Sequence, residues 1–165
     1  VRQPDWDKDA PKRQKCYWDA IGAADPQKMI KIIYGSFISR PKNAYDVTAP
    51  HQKRRVIYTE EKGSDVNLAL HMLNDAVDGL YDGAIMVSND SDLLEALHMT
   101  KARGKLAGIV FPVSGKRRPG KSLKQAADFH FITDDKLLKA SQLPDPVADG
   151  NKFYKKPPSW NKPKT

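Results

Sequence analysis

Three aspartates have the residue type and spacing of a site for a divalent cation. Asp90 and Asp92 stand two residues apart, directly after an apolar run at 83–87, and Asp65 opens an amphipathic stretch earlier in the chain. If the run is a strand and the stretch a helix, the three carboxylates can converge beyond the carboxyl end of that strand. Such oxygens, with water and phosphate oxygens, are the ligands that Mg²⁺ or Mn²⁺ takes. The pattern predicts phosphodiester hydrolysis with Asp65, Asp90 and Asp92 as catalytic metal ligands.

The same aspartates also suit an ordinary structural role. Ser91 and Asp92 at a helix start are typical capping residues, and Asp65 is equally an N-cap favoured by the helix dipole. The distribution of charge favours the cation site. Residues 60–95 hold nine acidic residues against Lys62 alone, and clustered carboxylates repel one another unless a counter-charge is present.

A basic block directly follows the acidic stretch. Residues 101–124 hold eight basic residues and no acidic one, and the whole chain has 28 Lys and Arg against 20 Asp and Glu, a formal net charge of +8. Clustered positive charge indicates a polyanionic partner. The candidate substrate-binding residues are basic side chains that can contact phosphates and two polar residues that either bind a water or support a turn: Lys62, Lys116, Arg117, Arg118, Lys121, Ser88 and Asn89.

Alternating strand and helix patterns predict the elements that position these residues. The apolar runs at 83–87 and 106–111 are typical of strands buried on both faces, and 129–132 is a third short strand. This order predicts a mainly parallel sheet with right-handed crossovers. The other predicted elements are helices at 13–22, from 64 or 65 to 79, from 91 to 104, at 123–127 and at 134–140, strands at 29–38 and 55–59, and an exposed loop at 41–53.

Two sequence blocks resemble the paired signature of a known family. The first runs from Glu61 through Lys62-Gly63-Ser64-Asp65 to Ala69, and the second from Tyr81 through Ser88-Asn89-Asp90-Ser91-Asp92 to Leu93. In this order and at this separation they look like NYN domains, which are PIN-like, metal-dependent ribonucleases. The likeness continues through Gly104-Lys105, 125–129 and 156–160, and so covers most of residues 29–160.

The resemblance implies both a fold and an activity. The implied fold is α/β, a PIN-like three-layer sandwich with a mainly parallel central sheet flanked by helices. The implied activity is that of an endoribonuclease, which hydrolyses phosphodiester bonds of single-stranded RNA with Mg²⁺ or Mn²⁺ as cofactor. Asp65, Asp90 and Asp92 correspond to its acidic site.

The start of the chain departs from the family pattern. Members of the family open with an apolar strand ending in Asp-Gly-x-Asn, whose aspartate supplies another metal ligand from the middle of the sheet. Residues 1–7 are polar and interrupted by Pro4, so they do not form such a strand. Because loss of a central strand leaves backbone groups unpaired and a slot in the core, we expect a separate segment or chain to supply it between 29–38 and 83–87.

Composition bounds the domain organisation and the environment. We expect one domain at 1–143 and an extended tail, rich in Pro and Lys, at 144–165. No run approaches the ~18 apolar residues that span a bilayer, so no membrane partner is expected. Cys16 is the single cysteine, which excludes an internal disulfide framework and fits a reducing, cytoplasmic location.

Two other functions fit parts of the pattern. A Toprim-like phosphotransfer domain also places Asp-x-Asp after a parallel strand, but it pairs this motif with an upstream glutamate, and Lys62-Gly63-Ser64-Asp65 matches the NYN pattern better. A non-catalytic RNA-binding or scaffold module is the alternative from a different class. In that module the basic surface binds RNA while the carboxylates only cap helices.

Overall fold

The computed structural model describes residues 7–112 and 118–161. Among these, residues 7–62 and 143–161 form one compact unit, and residues 63–112 and 118–142 form a second. Both α-helices and β-strands are present, as the α/β prediction requires. In chain order the elements are α1 (Ala10–Ala24), β1 (Ser36–Tyr45), β2 (Lys53–Lys62), α2 (Ser64–Val77), β3 (Gly83–Val87), α3 (Leu94–Ala102), β4 (Leu106–Phe111), α4 (Lys121–Ala126), β5 (Phe129–Ile132), α5 (Asp135–Ala140), β6 (Val147–Asp149) and β7 (Lys152–Tyr154), with 3-10 turns at Ser91–Leu93 and Pro158–Trp160.

The second unit is built on a three-stranded parallel sheet. The strands follow the order β3-β4-β5, with Ile85 opposite Gly108 and Gly108 opposite Phe129. Among the described residues β3 has a neighbour on one side only. The predicted parallel sheet is therefore present in a small form, and the other strand pairs of the chain are antiparallel hairpins.

One face of this sheet is covered by helices. Met86, Ile109 and Phe111 point from β3 and β4 into a single apolar core. Helices α2, α3 and α4 and the 3-10 turn before α3 complete this core with Met72, Leu93, Ala96, Leu97, Leu123 and Ala126. We refer to this side of the sheet as the covered face.

The opposite side, called here the open face, remains in contact with solvent. Ile85 and Val87 of β3 are each 59% exposed, Leu106 of β4 is 58% exposed and Phe131 of β5 is 60% exposed. In the register of the sheet these residues share one side with Gly108. Parallel sheets are normally buried on both faces, and these strands have the apolar composition of such sheets. In the described residues, however, helices cover only one of the two faces.

Gly108 makes the closest approach on the open face. A Cβ atom built at this position would lie 2.2 Å from Cε2 of Phe129, the residue opposite it on β5. The aromatic ring therefore lies directly over the glycine backbone. Only a residue without a side chain allows this contact.

The N-cap of helix α2 lies one or two residues before the residues predicted to cap it. Gly63 is the N-cap, with a left-handed φ of +96° that glycine adopts without steric cost. Asp65 lies within the first turn, where a carboxylate is favoured by the helix dipole. The predicted cap at Ser64 or Asp65 was therefore wrong by one or two positions.

The strand predicted at 29–38 and the exposed loop predicted at 41–53 differ from the structure. Strand β1 begins at Ser36, continues through Pro41 and pairs along its whole length with β2. A short turn closed by the bond from Asp46 N to Gln52 O joins the two strands. The β-branched residues before Ser36 indicated a strand locally, but regular strand structure forms where a second strand can accept its backbone hydrogen bonds.

The described part of 144–165 contains regular structure, unlike the extended tail expected there. Strands β6 and β7 form a hairpin, and Val147 of β6 is buried where α1 packs against it. Cys16 of α1 donates a hydrogen bond from Sγ to the carbonyl of Lys155 at 3.3 Å, and Tyr17 makes an edge contact with Trp160. This segment thus packs on α1 through contacts between residues that are more than 100 positions apart in the chain. None of the described helices has the length and apolarity to cross a membrane.

Candidate functional site

The turn after β3 is shaped by its own polar side chains. Ser88 remains in the sheet through its N–H, which donates to Val110 O at 3.1 Å, and its hydroxyl accepts the N–H of Asp90 at 3.1 Å. Asp90 in turn accepts the N–H of Asp92 at Oδ1, 3.0 Å away, and caps the 3-10 turn that leads into α3. Ser88 therefore supports the turn, one of the two roles considered for it.

The described residues do not assemble the three predicted aspartates into a metal-binding group. Asp65, Asp90 and Asp92 are all exposed. Within 7–112 and 118–161 there is no group of three or more His, Cys, Asp or Glu side chains placed to hold a metal ion. Asp90 and Asp92 are adjacent in one turn, whereas Asp65 lies on a different helix. Their assignment as metal ligands stays a prediction.

Asn89 connects this turn to the basic segment after β4. Its Nδ2 donates to the carbonyl of Arg118 at 3.2 Å, and its Oδ1 accepts the N–H of Gly120 at 2.7 Å. Sequence reasoning considered Asn89 as a water ligand or as support for its own turn and missed this contact. Nothing in the local pattern identifies a bond between residues about thirty positions apart.

Two of the predicted phosphate-binding residues therefore lie beside the acidic turn. Arg118 is exposed and provides the carbonyl that Asn89 binds. Lys121 is exposed at the first position of α4, which Leu123 anchors in the core. Lys116 and Arg117, which were also predicted to bind phosphate, lie outside the described residues.

Lys62 pairs with a carboxylate of its own strand. Its ammonium group lies 3.1 Å from Oε2 of Glu60, and Arg40 of β1 contacts the same oxygen at 3.1 Å. The hydrogen bond from Lys62, helped by the positive charges of Lys62 and Arg40, holds the pKa of Glu60 below its usual value. This structural pairing matches the solvated, non-catalytic alternative considered for Lys62, and its contact with phosphate stays a prediction.

The β1–β2 hairpin adds positive charge in the other unit. Lys42 lies over the ring of Tyr58, 4.6 Å from its centroid, and Lys53 lies over the ring of Tyr45 at 5.0 Å. Such cation–π contacts orient the lysine stems while the ammonium groups keep their charge. The hairpin also carries Arg40, Arg54 and Arg55.

A structural ion pair joins the helices of the second unit to its sheet. Asp128 accepts the N–H of Ala107 in β4 at 2.8 Å and pairs with Lys101 of α3 at 2.8 Å, while Lys101 also donates to Ala126 O at 2.8 Å. The backbone hydrogen bond from Ala107, followed by the bond from Lys101, lowers the pKa of Asp128. The role of Asp128 is therefore structural. Asp128 lies within 125–129, one of the segments that resemble the family.

Comparison with known proteins places most of the chain in one family. The NYN domain matches residues 7–138. A curated relative, the 6-hydroxy-3-succinoylpyridine 3-monooxygenase of Pseudomonas putida (strain DSM 28022 / S16), is 40% identical over 104 residues, which are 61% of this chain and 33% of that protein. The matched part thus spans about a third of the length of the curated relative. No solved structure matches the chain.

Proposed function

The chain belongs to the NYN domain family, and this membership suggests a ribonuclease-type function. We propose that the chain is an endoribonuclease acting on single-stranded RNA. The observation that carries the proposal is the turn after β3, where two carboxylates lie beside a basic segment held by Asn89. The carboxyl ends of parallel strands are where ligands bind in α/β sheets. Asp65, Asp90 and Asp92 are the proposed catalytic residues.

The cofactor of this proposal is Mg²⁺ or Mn²⁺, since NYN and PIN-like nucleases generally use divalent metals. Aspartate oxygens have the chemistry that these ions prefer, but the described residues do not place three of them together. A bound ion would offset phosphate charge and orient a water. Aspartate is the right type of ligand for these ions, but the described residues bring too few aspartates together to hold one. The proposal therefore includes one further acidic residue, supplied by another segment or chain.

A strand beside β3 is the proposed source of that residue. Support comes from the edge of β3 that has no partner strand among the described residues, and from the exposed side chains of Ile85 and Val87. Helix α2 also exposes an apolar stripe, Val66, Leu70 and Val77, at helical spacing. A further strand, supplied by another segment or chain, together with a covering layer, would complete the three-layer sandwich of a PIN-like fold.

The remaining candidate residues have roles in binding the RNA. Arg118 and Lys121, with Lys116, Arg117 and Lys62, are proposed to contact phosphates. Each such contact releases counterions from the RNA, so binding weakens as salt rises. Ser88 keeps the acidic turn in place through its bond to Asp90 N–H.

The test is cleavage of labelled single-stranded RNA by the purified protein with Mn²⁺ or Mg²⁺. Chelation should stop cleavage, and Asp90→Asn should reduce it about a hundredfold or more, the scale seen when one catalytic electrostatic group is removed. Because asparagine caps helices as well as aspartate does, this variant keeps its fold. Asp82→Asn is the matched control, since Asp82 is an exposed carboxylate just before β3. Cleavage retained in Asp90→Asn, or lost equally in Asp82→Asn, contradicts the proposal.

A non-catalytic RNA-binding module is the second candidate. It is favoured by the capping bond that occupies Oδ1 of Asp90 and by the separation of the three aspartates among the described residues. This candidate predicts salt-sensitive RNA binding without cleavage at any metal concentration. It also predicts that Asp90→Ala lowers thermal stability, because the cap is lost.

The activity named for the curated relative needs its own assay. That protein is named as a monooxygenase of 6-hydroxy-3-succinoylpyridine, and it shares 104 aligned residues with this chain. Incubation of the purified chain with that compound, O₂ as the source of the inserted oxygen atom and a two-electron reductant distinguishes the two chemistries. Formation of a hydroxylated product without RNA cleavage would replace the nuclease proposal.

A further inference from the structure

Both ends of the Asn89 side-chain amide are used by one segment of the chain. The NH₂ group donates to the carbonyl of Arg118, and the amide oxygen accepts the N–H of Gly120. These two bonds bracket Pro119, so the backbone on both sides of the proline is held at the end of β3. We call this pair of bonds the Asn89 clamp.

The position of the clamp is fixed from both sides. On one side, Asn89 follows the sheet directly through Ser88, whose N–H bonds to Val110. On the other side, Gly120 precedes α4, whose Leu123 is fully buried in the core. A Cβ atom at Gly120 would already lie 3.4 Å from Oδ1 of Asn89 and from Cδ1 of Leu123, so the segment approaches the turn closely.

The clamp joins two groups of opposite charge. Asp90 and Asp92 follow Asn89 on one side, and Arg118 and Lys121 flank Gly120 on the other. An RNA backbone bound by these cations would therefore lie close to the acidic turn. In the described residues, the two bonds of Asn89 are the hydrogen bonds that join this segment to the acidic turn. Without them, the cations would lie on a segment that is not bonded to the turn.

We propose that Asn89 is a positioning residue that sets the distance between the phosphate-binding cations and the acidic turn. Its amide is committed to the clamp and takes no part in binding a water or the substrate. The inference rests on the proposed function for its substrate class, RNA. It predicts that loss of the clamp weakens RNA binding, because the cations are no longer ordered in advance, while the acidic turn keeps its own hydrogen bonds and the chemical step remains intact.

Binding of labelled single-stranded RNA in chelator, where no cleavage occurs, is the main measurement. Asn89→Ala should raise Kd about tenfold, because the segment that carries the cations is then no longer held in place and must be ordered when RNA binds. It should also reduce the magnitude of the slope of log K against log salt by about 1.4. This value assumes that Arg118 and Lys121 each lose one phosphate contact, and each contact with single-stranded RNA contributes about 0.7. In cleavage assays KM should rise with Kd while kcat stays within about twofold, the pattern of lost uniform binding.

Asn74→Ala is the matched control. Asn74 is an exposed asparagine near the end of α2 that also makes a side-chain hydrogen bond, from Nδ2 to Asp78 at 2.8 Å. This variant should leave RNA affinity and its salt dependence unchanged. A drop in affinity equal to that of Asn89→Ala would overturn the inference, because the effect would then be unspecific.

A double-mutant cycle separates positioning from direct contact. Arg118→Ala should weaken binding in the wild-type background and much less in the Asn89→Ala background, because the two residues act through one contact. Gly120→Pro breaks the clamp from the opposite side by removing the N–H, and its φ of −61° suits proline. This variant should reproduce the binding defect of Asn89→Ala, which keeps the test valid if the alanine variant folds poorly.

Hydrogen exchange at the Gly120 amide tests the clamp without RNA. The amide should be protected in the wild-type protein and exchange faster in Asn89→Ala. Unchanged exchange, additive effects in the cycle, or unchanged RNA affinity would each overturn the role of Asn89. Because affinity is measured without cleavage, these outcomes are distinct from the loss of activity in Asp90→Asn that tests the nuclease proposal.

Discussion

The two faces of the parallel sheet carry similar side chains in very different surroundings. Ile109 on the covered face is fully buried beneath the helices, whereas Ile85 on the open face is 59% exposed. Both belong to continuous apolar strands of the type found between two layers. The composition of a strand therefore indicates how many faces of its sheet are covered in the folded protein. Which segment covers each face depends on the rest of the fold.

The largest expected effect comes from a matched pair of isoleucines on the two faces. Ile109→Ala should lower the free energy of unfolding by about 2–5 kcal/mol, because it leaves a cavity in the packed core. Ile85→Ala should cost less than about 1 kcal/mol in this chain, since its side chain is already largely solvated. Urea denaturation of both variants measures the difference.

The same pair also tests the additional layer. If a further strand and layer cover the open face, Ile85→Ala becomes a core substitution and its cost rises toward that of Ile109→Ala. Equal costs in the isolated chain would contradict the open face described here.

A smaller effect is expected at the contact of Gly108 with Phe129. Gly108→Ala places a methyl group where the ring lies and should cost about 1–3 kcal/mol, as overpacking does. On an open face the ring can turn toward solvent, which places the cost at the lower end of that range. A double-mutant cycle with Phe129→Leu should show a total cost below the sum, and additive costs would show that the ring is not the obstacle.

The smallest effect concerns the ion pair that ties the covered face to its helices. The pKa of Asp128 lies below its ordinary value, so the carboxylate contributes stability at neutral pH. That contribution is lost as pH falls below about 4 through the lowered pKa, because protonation removes the charge that Lys101 and Ala107 bind.

Thermal melts of wild type and Asp128→Asn across pH provide the measurement. The difference in Tm should be present at pH 6–7 and shrink as the pH falls below about 4. A difference that is constant down to pH 2 would assign the effect to packing and not to charge. The effect is modest because both partners remain partly exposed.

The elements of the second unit follow closely from sequence. Strand β3 matches its predicted range, as do β4 and β5, and α2 ends just before Gly79 as expected. The ranges of β3 and β4 were predictable because a glycine stops the helix that precedes each of them. Gly79 and Gly104 both adopt positive φ, which ends a helix at little steric cost.

Sequence reasoning was less informative where structure depends on distant partners. The bounds of β1 depend on its pairing with β2 and on the turn between the two strands, and neither leaves a periodic signal in residues 29–45. The Asn89 clamp depends on backbone groups of a segment thirty residues later. The acidic cluster could be proposed from spacing, but the directions of Asp65 and Asp90 depend on caps and turns that the pattern leaves open.

Strands β3, β4 and β5 pair in the same order in which they occur along the chain. Each new pair closes across a single connecting segment, so the contacts of this sheet are short in sequence separation. A parallel pair nevertheless forms only after its crossover has closed, so the entropy of that loop is lost before any backbone bond compensates for it. We therefore expect the three-stranded sheet to form later than the β1–β2 hairpin, in which Tyr45 and Lys53 pair across a short turn.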